Sequence, residues 1–381
     1  MAEERDIVGI SVPFAAGIAA GEFLCARLDS PVHHIACPVL LAIAAGLFIL
    51  AATIRPSHLS DRPSGAALFP AVFLITGIFC SLNHSIASGI PEYPDAPATG
   101  IAERTVTHLK TAIDDIPYPS ETTAPLVKAL LTGDRDDLSK EITGIFRDSG
   151  AAHILALSGL HLGVLYIILA RLASPLGNSL TARKLRYSLI ISAALFYSLM
   201  TGASPSIIRA FLFITINETC KILGRKRSPV RVLLGALTIQ LALKPDVITS
   251  VGFQLSYLAM AGIYLLYPAL ERIYPSSGGS GLSGFDPFRK IWNAAMLSVS
   301  CQVFTGPLAW HYFHTFPKYF ILTNLVALPL TSATMTLSVA TIALSFFGIC
   351  PEPLVLLNDY VIQSLVYCLK VIAGLDEPWL T

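Results

Sequence analysis

The chain has 381 residues, 54% of them hydrophobic and 13% charged, with a net charge of +1 and a mean hydropathy of +0.64. A soluble globular protein carries about 25% charged residues, so that class is excluded, and a whole-chain charge this close to zero predicts no nucleic-acid partner and leaves any such binding to local clusters. Apolar stretches near the roughly 20 residues that cross a bilayer recur from end to end, without the strict alternation of barrel strands. The expected fold class is all-α: a polytopic helical membrane protein with about eleven transmembrane or re-entrant helices.

In chain order the segments fall near 7–26, 33–54, 66–86, 151–172, 186–201, 205–223, 230–243, 247–270, 289–311, 319–347 and 353–373. Met1 to Asp6 is acidic on balance, which argues against a cleaved signal peptide. The seven cysteines form no CxxC pair and no zinc spacing, so they read as small core residues. Orientation follows the short basic loops. Arg171, Arg183, Lys184 and Arg186 form one cluster, and Lys221, Arg225, Lys226, Arg227 and Arg231 form another. Two helices separate them, so both belong to the cytoplasmic side. Counting back places Arg55 to Pro63 and the N-terminus inside and residues 87–150 outside. Counting forward returns 271–288, with its SSGGSG tract, to the inside.

Residues 91–125 hold six prolines and read as a linker with one amphipathic piece near 101–114, too short for a folded domain. Gly133 is placed to close the helix before it. Ser139 is placed to cap the next, with Glu141 in its first turn. Asp134, Asp136 and Asp137 between them read as a solvated turn. The expected organisation is a three-helix membrane region over 1–90, an extracytoplasmic linker over 91–125, a membrane domain over 126–373 and a tail over 374–381.

Four membrane segments carry polar residues at helical spacing. Ser206, Arg209, Phe213 and Asn217 share a face, as do Ser298, Gln302 and Thr305; Gln254 shares one with Tyr257, with Ser256 close by. The longest stripe runs Asn324, Ala327, Thr331, Thr334, Ser338, Thr341 and Ser345, about 30 Å of helix. Such a stripe either lines a wet path or lets helices pack closely. Arg209 is the costliest residue, about 2.5–3.5 kcal/mol at a helix centre on insertion scales. It either snorkels to the outer interface or contacts an anion. Glu218 reads as a partner of Lys221 at i and i+3.

The segment from 151 carries His153, Ser158, Gly159 and His161. The histidines are open to three roles, as proton carriers, ligands or polar lining, or are simply satisfied by backbone carbonyls. Gly159 and Gly163 form a GxxxG pair, which predicts a close helix contact. His311 and His314 lack a third ligand, so no metal site is expected.

These same residues carry a family resemblance. HILALSGLHLG (153–163), preceded by LLTGDRDDLS (130–139), resembles the signature of the ComEC-type competence membrane domain. TGASPSIIRA (201–210), VGFQLSYLA (251–259) and the tract from Gly306-Pro307 through Phe316-Pro317 to Asn324 and Pro329 follow in the family's order. The resemblance implies a channel passing one DNA strand across the bacterial cytoplasmic membrane during natural transformation. Arg135, His153, Ser158, His161, Ser206, Arg209, Gln254, Ser256 and Asn324 match the family's motif positions, and with Asn217, Gln302, Thr331, Thr334 and Ser338 from the polar faces they form the expected pathway. Structural roles fall to Gly133, Gly159, Gly163, Gly202, Pro205, Gly306, Pro307 and Pro329. The family's external OB-like domain and terminal metallo-β-lactamase-like domain are expected to be absent from this chain, since the outer stretch is short and no HxHxDH motif occurs. The implied partners are non-specific single-stranded DNA, the lipid bilayer, and a separate DNA receptor, nuclease and ATPase; homo-oligomerisation stays open. No cofactor is expected, and without GxxxxGK[ST] the chain is not a motor of that type. Two rival expectations are a transporter of small anions or lipid-linked molecules using Arg209, and an intramembrane serine protease built on Ser158 with His161 or His311 as base.

Overall fold

A computed structural model describes residues 2–27, 30–53, 63–88, 97–177, 179–225, 228–274, 286–314 and 316–375. All regular structure among them is helical. Among the described residues five segments are long and apolar enough to cross a membrane: Ile7–Cys25, Gly159–Leu176, Val251–Glu271, Phe320–Ser345 and Glu352–Gly374. Shorter apolar helices accompany them. The chain is an all-α protein of membrane type. The Arg55–Pro63 loop is described only at Pro63, and the SSGGSG tract and most of the residue 374–381 tail lie outside the described residues.

Two compact units divide the chain, Met1–Pro94 with Leu223–Tyr257, and Asp95–Ile222 with Leu258–Thr381. The first holds α1 (Ala2–Cys25), α2 (Ser30–Thr53), α3 (Pro63–Ser88) and α11 (Pro229–Leu243). Its α1 and α3 touch backbone to backbone. A Cβ on Gly17 would overlap the Leu74 carbonyl, and one on Gly77 would overlap that of Phe14. Only glycine permits so short an interaxial distance. Phe14 and Ile18 then meet Leu241, Val247 and Phe253 in the core of this unit. Ser11 and Thr238 add a hydroxyl contact of 2.9 Å between α1 and α11.

The second unit opens with α4 (Pro97–Asp114), α5 (Thr123–Thr132), α6 (Lys140–Asp148) and α7 (Ala152–Leu155). It continues through α8 (Gly159–Leu172), α9 (Leu180–Met200) and α10 (Pro205–Ile222). The boundary between units falls inside α12 (Val251–Leu265), which leads to α13 (Tyr267–Glu271). The last helices are α14 (Pro287–Phe313), α15 (Phe320–Ser345) and α16 (Glu352–Gly374). The core joins Ile113, Leu126, Leu130 and Phe146 to Ala327, Met335, Ile362 and Leu369.

Two expectations change here. The segment 151–172 is not one helix, because the backbone is extended at Ala156 and Ser158 and α8 starts afresh at Gly159. Gly163 makes no close helix contact, since a Cβ there would meet nothing within 4 Å. The stretch read as an outer linker carries α4 and reaches α16 near its end. Ser120 bonds Asp359, and beyond that stretch Glu141 of α6 bonds Lys370. Ile113 and Ile116 anchor that stretch in the core.

Candidate functional site

The DRDD turn is built as a folding element. Gly133 takes φ +82° and closes α5, its N–H donating to the Ala129 carbonyl. That left-handed conformation is strained for any residue with a Cβ. Asp134 turns the chain by accepting the Asp136 N–H at 3.0 Å. It also pairs with Lys110 of α4, and the positive charge holds its carboxyl below the usual carboxylate range. Lys128 of α5 pairs with Asp114 at 2.7 Å and Asp137 at 2.8 Å. Arg135 donates its Nε–H to the Leu155 carbonyl at 3.1 Å, satisfying a carbonyl at the C-terminal end of α7. Ser139 caps α6 through the Ile142 N–H, as its sequence predicts.

Ser158 and His161 form the start of α8. Ser158 Oγ accepts the Leu160 N–H, and the Ser158 N–H donates to His161 Nδ1 at 3.1 Å. This is a capping box in which imidazole takes the place usually held by Glu or Gln. Because Nδ1 accepts, the ring proton sits on Nε2. That atom is buried with no hydrogen-bond partner.

Two motif helices are then brought side by side. A Cβ on Gly159 would lie 3.3 Å from Arg209 Nη2 and 3.4 Å from the Ala210 side chain. Seven residues further along α8, Tyr166 donates to Glu218 at 2.6 Å, and Lys221 donates to Tyr166 at 2.7 Å and pairs with Glu218. The order of these contacts makes α8 and α10 parallel. Helix α9 returns antiparallel to α10, Arg183 donating to the Lys221 carbonyl and Tyr187 bonding Thr219. Leu162, Ala194, Tyr197 and Ile207 fill the space between the three.

Parallel packing places two helix N-termini together. Their partial positive charge meets the Arg209 guanidinium, which is buried to 9% exposure rather than extended to a free surface. Ser204, just before Pro205 opens α10, adds an enclosed hydroxyl with no partner. Arg209, His161 Nε2–H and Ser204 thus lie toward the same end of the α8–α10 pair, with the two helix N-termini about one turn apart. Helix N-termini with such donors are natural anion sites.

The remaining assignments separate. Ser206 and Asn217 are half-buried on α10. Gln254 donates to the Ile248 carbonyl at 2.8 Å and, with half-buried Ser256, belongs to the first unit. Gln302, Gly306 and Pro307 line an apolar cleft of about 650 Å³ with Trp310 and Phe316. Asn324 and Pro329 line another of about 450 Å³ with Lys290 and Ser332. His153 binds its own local backbone, Nδ1 lying 3.1 Å from the Gly150 carbonyl, and His314 does the same at Trp310. Gly202 forms the turn before α10 at φ +75°.

The α15 stripe requires a correction. Thr331, Thr334, Ser338 and Thr341 are 0–1% exposed, enclosed by protein. Ser338 bonds Asn358 of α16. In this chain the stripe is a packing seam, and small residues serve it by letting the helices approach. Opposite it lies a polar network that the sequence pattern did not single out. Asn358 bonds Ser338 and Tyr118, Asp359 bonds Ser120 and Thr123, and Gln363 bonds Thr122 and Thr123. Burial pushes the Tyr118 hydroxyl up to about 12, so it stays neutral. The available signal was the Asn358-Asp359 pair inside an apolar stretch.

Residues 130–381 match the family model described as Competence protein. The chain belongs to the Competence protein family. Among its relatives, the uncharacterized protein YcaI of Escherichia coli (strain K12) is 27% identical over 274 residues, which is 69% of this chain and 34% of that protein. ComE operon protein 3 of Bacillus subtilis (strain 168) is 27% identical, covering 54% of this chain and 24% of its own length. Competence protein ComA of Neisseria gonorrhoeae is 28% identical, covering 55% and 29%. The matched part of this chain thus spans roughly a quarter to a third of each of these relatives. No solved structure matches. The family match starts at Leu130 and so takes in the DRDD turn, the Ser158–His161 capping box and Arg209.

Proposed function

We propose that this Competence-family chain passes one strand of DNA across the bacterial cytoplasmic membrane during uptake, acting as a conduit and not as an enzyme. The observation that carries the reading is the head of the α8–α10 pair. Arg209 lies against the N-terminal turn of α8, with the unpartnered His161 Nε2–H and Ser204 hydroxyl at the same end. A phosphate oxygen is the ligand such a donor set suits. A phosphate chain also cannot be desolvated in hydrocarbon, so its route requires fixed donors or water. The path belongs with the half-buried polar side chains, Ser206, Asn217, Gln302 and Asn324, and not with the sealed α15 seam. Single-stranded DNA, separate receptor, nuclease and motor proteins, and the cytoplasmic membrane are the partners this reading requires. The protease reading loses support because Ser158 and His161 are both engaged in starting a helix.

The same donor set favours one second reading, a transporter of small anions. The deciding experiment is uptake by cells or vesicles carrying the full chain. Competition by oligonucleotides but not by phosphate or sulfate supports the strand conduit; the reverse pattern supports the small-anion carrier. Arg209→Ala is expected to abolish transport in either case while leaving membrane insertion intact.

A further inference from the structure

Asp359 lies on the eighth position of α16, a helix of membrane-crossing length, and its residue is 8% exposed. One carboxylate oxygen accepts the Ser120 N–H at 3.3 Å and the Thr123 hydroxyl; the other accepts the Ser120 hydroxyl at 2.9 Å. Among the described residues no lysine, arginine or histidine forms an ion pair with it. Hydrogen bonds satisfy its lone pairs but leave its net charge in place. The N-terminus of α5, which begins at Thr123, supplies a partial positive charge of about half a unit. A buried carboxylate so placed keeps an uncompensated negative remainder, which is costly in a low-dielectric interior.

We propose that this site binds a small monovalent cation, sodium, between α5 and α16. The surrounding ligands are hard oxygens of the kind such ions take. Both Asp359 oxygens, Ser120 Oγ and Thr123 Oγ1 already converge within hydrogen-bond distance. Gln363 sits 2.9 Å from Thr122 Oγ1 and 3.3 Å from Thr123 Oγ1, and a turn of its amide presents a further oxygen. Each hydroxyl can donate to the carboxylate, as here, or turn to offer a cation its lone pair. An ion here ties the start of α5, and through it the DRDD turn, to α16. Occupancy would then couple a membrane ion to the arrangement of a family motif, whatever the cargo.

The test uses the full chain, purified in detergent, with thermal unfolding followed in sodium chloride and in choline chloride at equal ionic strength. Sodium is expected to raise the wild-type Tm saturably by several degrees, as a ligand of the folded state must. Asp359→Asn is expected to lose that response. Ser120→Ala and Thr123→Val, which keep the charge and remove ligands, are expected to raise the half-saturating sodium concentration several-fold and serve if Asp359→Asn does not fold. A wild-type Tm indifferent to sodium overturns the proposal, as does a response undiminished in all three variants.

Discussion

The Ser158 backbone N–H donates to His161 Nδ1 at 3.1 Å, so a histidine inside an apolar segment is held by the residue three positions before it. That bond fixes where α8 begins and which ring nitrogen carries the proton. It also gives the SGLH motif two separable duties, one in folding and one at Nε2. His161→Gln can keep the capping box, whereas His161→Ala removes it at a cost of about 1 kcal/mol. Thermal unfolding is therefore expected to rank wild type and Gln above Ala. Transformation assays are expected to rank both variants well below wild type, because neither retains the Nε2 donor in place. Full transport in His161→Gln would confine the residue to folding.

Gly159 is expected to tolerate alanine in stability but not in function. The added Cβ would press on Arg209 Nη2 at 3.3 Å, the far end of a flexible side chain that yields cheaply. Displacement of the guanidinium is what transport should register. Unfolding within about 1 kcal/mol of wild type, with uptake reduced at least several-fold, is the expected pair of results. Unchanged uptake would separate Arg209 from the pathway.

Thr331→Val and Thr334→Val should be neutral or stabilising by about 1 kcal/mol. Both hydroxyls are fully buried with no partner, and an orphaned buried polar group costs roughly 1–3 kcal/mol. Valine keeps the shape and removes the polar atom. Transport is expected to be unaffected, because the seam is closed. Loss of uptake with retained stability would reopen the stripe as a conducting surface.

Glycine at the tight crossings is expected to be irreplaceable. Alanine at Gly17 would overlap the Leu74 carbonyl, and alanine at Gly262 would overlap that of Ser300. Backbone cannot yield as a side chain does, so each substitution should cost at least about 1–3 kcal/mol. Yield of monodisperse protein after detergent extraction, together with Tm, reads the effect.

The turn after α5 should weaken in acid. Asp134 titrates below its ordinary value of 3.8 because Lys110 bonds and neutralises it. A depressed folded-state pKa gives stability that is present above the unfolded value and is lost as pH falls through the folded one. Lys110→Met is expected to lower Tm at neutral pH and to flatten the Tm decline below about pH 4. An unchanged acid limb in that variant would show that other carboxylates govern it.

The amino-acid sequence alone determined the class, most helix positions, the Gly133 and Ser139 caps and the motif residues that turn out to be assembled. Those features are local: apolar length, capping chemistry and spacing act within a few residues. What only the tertiary structure decided is what each polar face meets. The Thr331–Ser338 stripe has the same periodicity whether it borders water or a neighbouring helix, and α16 happens to cover it. The break at Ala156–Ser158 is local, His161 folding back on Ser158, but the apolar run around it hides a cap that the sequence pattern alone reads as continuous helix. Asp359 gave little local signal because its partners, Ser120 and Thr123, lie more than 230 positions away in the chain. Pairwise contact across such separations is set by packing, and no pattern within one segment encodes it.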